Sequence, residues 1–368
     1  MYQQPWLLVQ NRFRGKGGRE LDKFRGIEPP VDDDFGSEAW VGSVTKMVNP
    51  VKDEPNYGCS EMIMPDGSKR FLFEVIAENP EQILGKAHMD KNGTDLGMLV
   101  KYLDTRASFS LQCHPTRSWA KEMWGSDYGK EESWHVISTR EDSEEPAYVI
   151  LGFKEGVSRE LWEKYYFADD IPALENLCHK IQIKPGDTYF VECGCPHKVG
   201  PGCFLIEVQE PSDLTSMAFR IDEYARRVKM DRPYTQEEEE FYDKRLLGTY
   251  IYEGCSYEEN LRRRQVTSKI FRKGDWGEEK VVVGPGQTEL FSFTELTVHG
   301  TADIRNTGYP QVVIVMDGEG KLTFDGGEMK VKKGDELFFP YQIPNHKIQG
   351  NVKLILCHPE GVTYEFEN

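Results

Sequence analysis

Gly186-Asp-Thr-Tyr-Phe-Val-Glu-Cys-Gly-Cys-Pro-His197 and Gly334-Asp-Glu-Leu-Phe-Phe-Pro-Tyr-Gln-Ile-Pro-Asn345 share one frame: Gly-Asp, four residues, a hinge, and Pro at offset ten. The same hairpin used twice predicts two related β-barrels in tandem. Around it, the segments 108–114, 134–138, 188–192, 204–209, 311–316, 321–324 and 336–339 alternate apolar and polar residues and are bounded by Gly, Pro, Asp or Asn. Short period-two runs of this kind are strands of a sandwich or small barrel, so the fold class is mainly β. Helices decorate the sheets: 159–167 behind the cap Ser158, 172–179, and a charged helix that opens on the capping box Thr235-Gln-Glu-Glu238 and runs to Leu247. Glu237 to Glu240 read as its solvated first turn. A charged stretch from Glu258 to Arg264 separates two β-rich halves, which places the domains at 1–255 and 256–368.

The chain has 368 residues, room for two domains, and a net charge of −17 with a pI near 5.1. Such a field repels phosphate backbones and anionic bilayers, so no nucleic acid and no membrane is expected as partner. An anionic substrate would need a local cluster of Lys and Arg. No window approaches the ~20 uninterrupted apolar residues of a spanning helix, and Met1 to Gly18 carries no signal-like apolar core, so a cytoplasmic protein is expected. Eight dispersed cysteines are read as reduced thiols.

Candidate metal ligands occur in three places. Gln112 and His114 are two apart, so on a strand both face one way while Leu111 and Cys113 face the other. Glu132 opens the next strand, and His197 follows the first hairpin after the re-aiming turn Gly194-Cys-Pro196. Two imidazoles, a carboxylate and an amide oxygen suit Zn²⁺, or Mn, Fe, Co or Ni, with a position left open for substrate. The second hairpin is an internal control: Asn345 stands at the offset of His197, and His346 comes one residue late, so one metal per chain is expected, in the N-terminal barrel. Cys193-Gly-Cys195-Pro-His197 also admits a thiolate zinc knuckle, although no second Cys pair stands at finger-like spacing.

A Gln-x-His pair combined with a Gly-Asp-x₉-His hairpin is the cupin metal motif. In these and in Phe35-Gly-Ser-Glu-Ala-Trp-Val-Gly-Ser43, Lys101-Tyr-Leu-Asp104, Ser110-Leu-Gln-Cys-His-Pro115, Gly129-Lys-Glu-Glu-Ser-Trp134, Ile206-Glu207 and Ser212-Asp213, the chain resembles the class I mannose-6-phosphate isomerases of the short bacterial form. The resemblance is strong over residues 5 to 215 and weak in the C-terminal barrel. It implies tandem cupin (jelly-roll) domains, and zinc held by Gln112, His114, Glu132 and His197. It further implies a substrate side formed by Lys101, Ser110 and Lys130, and Glu207 as the base. Taken alone, Lys101 and Lys130 read as solvated lysines and Glu207 as a strand glutamate; the resemblance makes the lysines a cationic patch for a phosphorylated sugar. The family carries an arginine four residues beyond the Asp of its Ser-Asp motif, where this chain has Met217; Arg220 is the nearest arginine and the candidate replacement. The family tryptophan is also absent from Asn11-Arg-Phe-Arg-Gly-Lys-Gly-Gly18.

The implied activity is a metal-dependent interconversion of mannose 6-phosphate and fructose 6-phosphate through an enediol, in a monomer or homodimer. The alternatives are a cupin that binds a sugar or sugar phosphate without turnover, favoured by Met217, and a metal-dependent isomerase of another sugar.

Overall fold

The Gly-Asp turn occurs twice with matching hydrogen bonds. Gly186 (φ 89°) donates its N–H to Val136 O, and Asp187 Oδ2 accepts from Lys184 N at 3.0 Å; Gly334 (φ 88°) donates to Val315 O, and Asp335 Oδ2 accepts from Lys332 N at 2.8 Å. Left-handed backbone calls for glycine at both positions, and the aspartate closes each turn on its own chain. The four-residue strands Thr188–Val191 and Glu336–Phe339 follow. The structure, a computed structural model, describes residues 2–48 and 54–366.

The N-terminal half is a jelly-roll sandwich of two open sheets. One orders Thr188–Val191, Glu132–Thr139, Cys203–Gln209, Leu99–Asp104 and Glu38–Val41. The other orders Ser216–Met217, Gln112–Cys113, His197–Val199, Tyr148–Phe153 and Cys178–Gln182. The C-terminal half supplies seven strands of an eight-stranded sheet, built mainly from the long strands Phe291–Asp303, Gln311–Phe324 and Lys347–Pro359, and the eighth is Trp6–Leu7.

Strand alternation explains how the halves join. In Cys203–Gln209, Phe204, Ile206 and Val208 point to a core shared with Phe293, Ile314, Phe338 and Ile355 of the C-terminal sheet. Leu205 lies in the sandwich interior, and Glu207 points the same way. Leu296, Val313, Val315 and Leu354 fill the C-terminal half's own core. The central strand is therefore covered on both faces, and all seven of its residues are buried.

The division expected at 255/256 is crossed in both directions. Trp6–Leu7 pairs antiparallel with Glu336–Phe339, because an apolar edge strand gains partners on the C-terminal sheet. In the other direction, helix Tyr257–Arg264 docks on the N-terminal half, with Arg264 Nε 2.8 Å from Glu192 Oε2 and Asn260 Nδ2 donating to Leu151 O at 3.0 Å. Other elements also differ from the sequence reading. Only Gln112–Cys113 of 108–114 is strand, and Ser108, Phe109 and Ser110 ahead of it border the cavity described below. The segments 311–316 and 321–324 form one strand, which absorbs Gly318 at φ 73° beside a register shift instead of turning there. The expected helix 172–179 is Ile171–Asn176, and Cys178 and His179 begin a strand. Helices Arg159–Phe167 and Gln236–Thr249 form as read, with Ser158 capping the first and both bonds of the capping box present in the second.

One ion pair ties the halves inside the core. Arg25 Nη2 lies 2.5 Å from Glu336 Oε1, and the two side chains are 2% and 1% exposed. Removing one partner of such a pair strands the other's charge. Arg25→Met should therefore cost about 3–5 kcal/mol in urea unfolding, and Glu336→Gln added to it should recover much of that loss.

Candidate metal centre and active-site cavity

His114, Glu132 and His197 meet where the two sheets of the sandwich face each other, and one donor atom from each lies within 4.8 Å of the others. Glu132 comes from one sheet, and His197 from the other, where its Cα stands opposite that of Gln112. His114 follows Gln112 by two residues and shares its side of the chain. All three ligand candidates are buried.

The tautomers follow from the hydrogen bonds. His114 Nδ1 is 2.9 Å from Leu214 O, and His197 Nδ1 is 2.9 Å from Cys195 O. A carbonyl only accepts, so each Nδ1 carries the proton and each Nε2 presents a lone pair. These Nε2 atoms are 3.1 Å apart. Burial, joined by the Lys130 charge, lowers the His114 imidazolium to about 3, and burial lowers that of His197 as well, so both rings are neutral. Lys130 Nζ stands as the cation of the cluster, 2.7 Å from His114 Nε2 and 3.0 Å from Glu132 Oε2. Burial would raise the Glu132 carboxyl, but the adjacent Lys130 ammonium holds it well below its usual range. Among the described residues its buried Oε1 has no hydrogen-bond partner. Two unprotonated imidazole nitrogens and an ionised carboxylate with a spare oxygen fit a divalent metal. The thiolate reading finds no place here: among the described residues the donor group is His114, Glu132 and His197, and no cysteine Sγ joins it.

A cavity of about 580 Å³ adjoins the cluster. A row of side chains crosses its floor, because Trp40, Lys101, Glu207 and Trp134 are register partners on four adjacent strands. Lys101 Nζ lies 3.2 Å from Glu207 Oε1 and 4.8 Å from the Trp40 ring centroid, and Trp134 Nε1 donates to Glu207 Oε2 at 3.0 Å. Burial raises the Glu207 carboxyl, the Glu132 charge adds to the rise, and Lys101 and Lys130 oppose it. Opposite the row, Gln112 is register partner to both His197 and Met217, and Gln112, Met217 and Ser110 line the cavity.

The cavity thus gathers Lys101, Ser110, Gln112, Lys130 and Glu207. Arg220 lies elsewhere. It caps helix Ile221–Arg227, pairs with Glu239, lies 3.5 Å from Asp243, and packs over Phe167 and Tyr166 beside a separate surface depression. A candidate catalytic role for Arg220 finds no support in that placement, because two helix carboxylates draw the guanidinium away from the sheets. The cavity's guanidinia belong to Arg14 and Arg245. Arg14 donates through Nε to Glu38 Oε1 and through Nη2 to Asp213 Oδ1, both at 2.9 Å. Sequence reading missed it because its contacts lie 24 and 199 residues away. The one local signal was the Gly-rich segment in which Arg14 sits.

Fold and site together define a metal-binding double cupin. The family model for the phosphomannose isomerase type I catalytic domain matches residues 7–132, and that for the mannose-6-phosphate isomerase cupin domain matches residues 285–359. The chain belongs to the class I mannose-6-phosphate isomerase family. It is similar to the putative mannose-6-phosphate isomerase YvyI of Bacillus subtilis, 28% identical over 72% of this chain and 76% of that protein. To the mannose-6-phosphate isomerase of Streptococcus mutans it is 26% identical, over 71% of this chain and 73% of the other. The crystal structure of the mannose 6-phosphate isomerase from Bacillus subtilis shares the fold, with a TM-score of 0.73 at 23% identity over 97% of this chain and 100% of that one. A zinc-bound mannose 6-phosphate isomerase structure superposes with the same TM-score at 15% identity, over 97% and 100%.

Elemental analysis should find one divalent metal per chain, lost in His197→Ala and retained in His346→Ala. The second variant is informative because His346 packs on Phe339 and its neighbour Asn345 bonds Asp325, both away from the cluster.

Proposed function

We propose that the protein is a zinc-dependent isomerase that interconverts mannose 6-phosphate and fructose 6-phosphate through an enediol. What carries this reading is the convergence, on one cavity, of a three-donor metal cluster and Glu207, a buried carboxylate raised above its usual range beside an ammonium. Membership of the family, and relatives whose names carry this activity, support the substrate.

His114, Glu132 and His197 would hold the metal, and the Gln112 amide would offer a fourth donor. When bound, the divalent ion supplies positive charge to the sugar oxygens at C1 and C2. Glu207 removes the proton from C2 of the aldose and returns it to C1 of the enediol, while the hydroxyl proton of O2 passes to O1, so that C1 becomes the CH2OH group and C2 the ketone. A raised pKa suits a base that must hold the proton between those two transfers. Trp134 fixes Oε2 of that carboxylate, which leaves Oε1 to work next to Lys101. Lys101 and Lys130 offset negative charge as it develops on the sugar oxygens, and Ser110 binds the sugar from the same wall. Arg14 is a positioning residue that braces Asp213 and Glu38 across the cavity floor. A cupin that binds the sugar phosphate without turnover is the second reading, favoured by Met217 on the cavity wall.

A coupled assay on metal-replete protein separates the two, with unphosphorylated mannose, lyxose and fructose alongside. Turnover of mannose 6-phosphate is expected; saturable binding with no turnover would establish the second reading. Glu207→Gln should lower kcat by at least about 10²-fold at unchanged metal content. Arg14→Ala should lower kcat by about tenfold or more, whereas Arg220→Ala should change it by less than about threefold and act on thermal stability instead.

A further inference from the structure

Four basic side chains line the cavity, and three of them are already paired with carboxylates. Arg14 meets Glu38 and Asp213, Lys101 meets Glu207, and Lys130 meets Glu132. The fourth, Arg245, makes no ion pair among the described residues. It packs its guanidinium 5.1 Å from the Trp124 ring centroid, 5.6 Å from that of Tyr242 and 5.8 Å from that of Phe241. Aromatic faces stabilise the cation and fix its plane while leaving its N–H edges to a ligand.

The helix beneath Arg245 is anchored. Trp119 Nε1 donates to the Arg245 carbonyl at 3.1 Å, and Tyr242 Oη donates to Phe219 O at 3.0 Å. Tyr242, Arg245 and Leu246 stand at i, i+3 and i+4 of Gln236–Thr249, so one helical face delivers all three to the cavity. This end is walled by Trp124, Tyr224, Val228 and Leu246, whereas the metal cluster, Lys101 and Glu207 belong to the sheets.

Charge counting gives the ligand class. Glu38, Glu132, Glu207 and Asp213 balance Arg14, Lys101, Lys130 and Arg245, so a divalent ion leaves two positive charges for a ligand to neutralise. A phosphate monoester dianion supplies two negative charges and takes a guanidinium fork in bidentate fashion. We infer that Arg245 is the phosphate anchor of the substrate, gripping the C6 phosphate at the helical end while C1 and C2 lie at the metal. This rests on the isomerase reading for its substrate, but its test does not depend on turnover.

The test compares wild type, Arg245→Gln, Arg245→Lys and Lys101→Ala, each checked for zinc content and thermal melting, with inorganic phosphate as the binding probe in calorimetry. Arg245→Gln should weaken phosphate binding about tenfold or more, and raise KM for mannose 6-phosphate by a similar factor with kcat within about threefold. Arg245→Lys should fall between the two, since it retains charge but loses the fork; it also serves as the variant of record if the glutamine protein fails to fold. Inhibition by mannitol, which has no phosphate, should not change. Unaltered phosphate affinity in both Arg245 variants, or a loss confined to Lys101→Ala, overturns the inference while leaving the isomerase reading intact. Arg245-dependent phosphate binding in a protein that does not turn over mannose 6-phosphate would sustain the anchor and remove the isomerase.

Discussion

Two imidazoles with facing lone pairs, each turned by a backbone carbonyl, set the chemistry of this protein. Leu214 O and Cys195 O accept from the Nδ1 N–H groups, and the Nε2 atoms of the two buried rings are left 3.1 Å apart. Two such lone pairs facing each other repel unless a cation lies against them, and Lys130 Nζ meets that demand at 2.7 Å. A divalent ion would meet it better, because among the described residues Glu132 Oε1 has no hydrogen-bond partner and could serve as a donor. The sandwich accordingly has its metal donors on its inner faces, supplied from both sheets.

From this follows the division of the cavity into two ends. At the sheet end every cation is committed to a carboxylate, which lets an acidic protein keep Arg14, Lys101 and Lys130 buried or half-buried without large desolvation losses. At the helical end, aromatic rings replace carboxylates as the support of a cation, and Arg245 stays available. The C-terminal half contributes from behind. It covers the outer face of the sheet that carries Lys101, Glu132 and Glu207, and a strand buried on both faces holds its side chains to narrow limits.

The secondary structure was legible wherever a local rule operates. Ser158 and the Thr235–Glu238 box close bonds within one helical turn, and the Gly-Asp hairpin closes within four residues, so local sequence is enough to read them. The strand over 108–114 and the break between 311–316 and 321–324 were read in error, because what decides them is distant: the cavity that the first stretch borders, and Lys347–Pro359 pairing straight past Gly318.

The site divides in the same way. The sequence by itself determined the mainly β, tandem-cupin fold and brought out His114, Glu132 and His197, since period-two spacing and a repeated hairpin single out the two histidines and the resemblance to the family adds the carboxylate. Tertiary structure alone decided that Arg220 is drawn off by Glu239 and Asp243, and that Arg14 and Arg245 supply the guanidinia of the cavity. A charged side chain settles where distant partners balance it, and Arg14 meets Asp213 across 199 residues of chain. Such a pairing follows from the closing of two sheets and leaves no periodicity in the sequence.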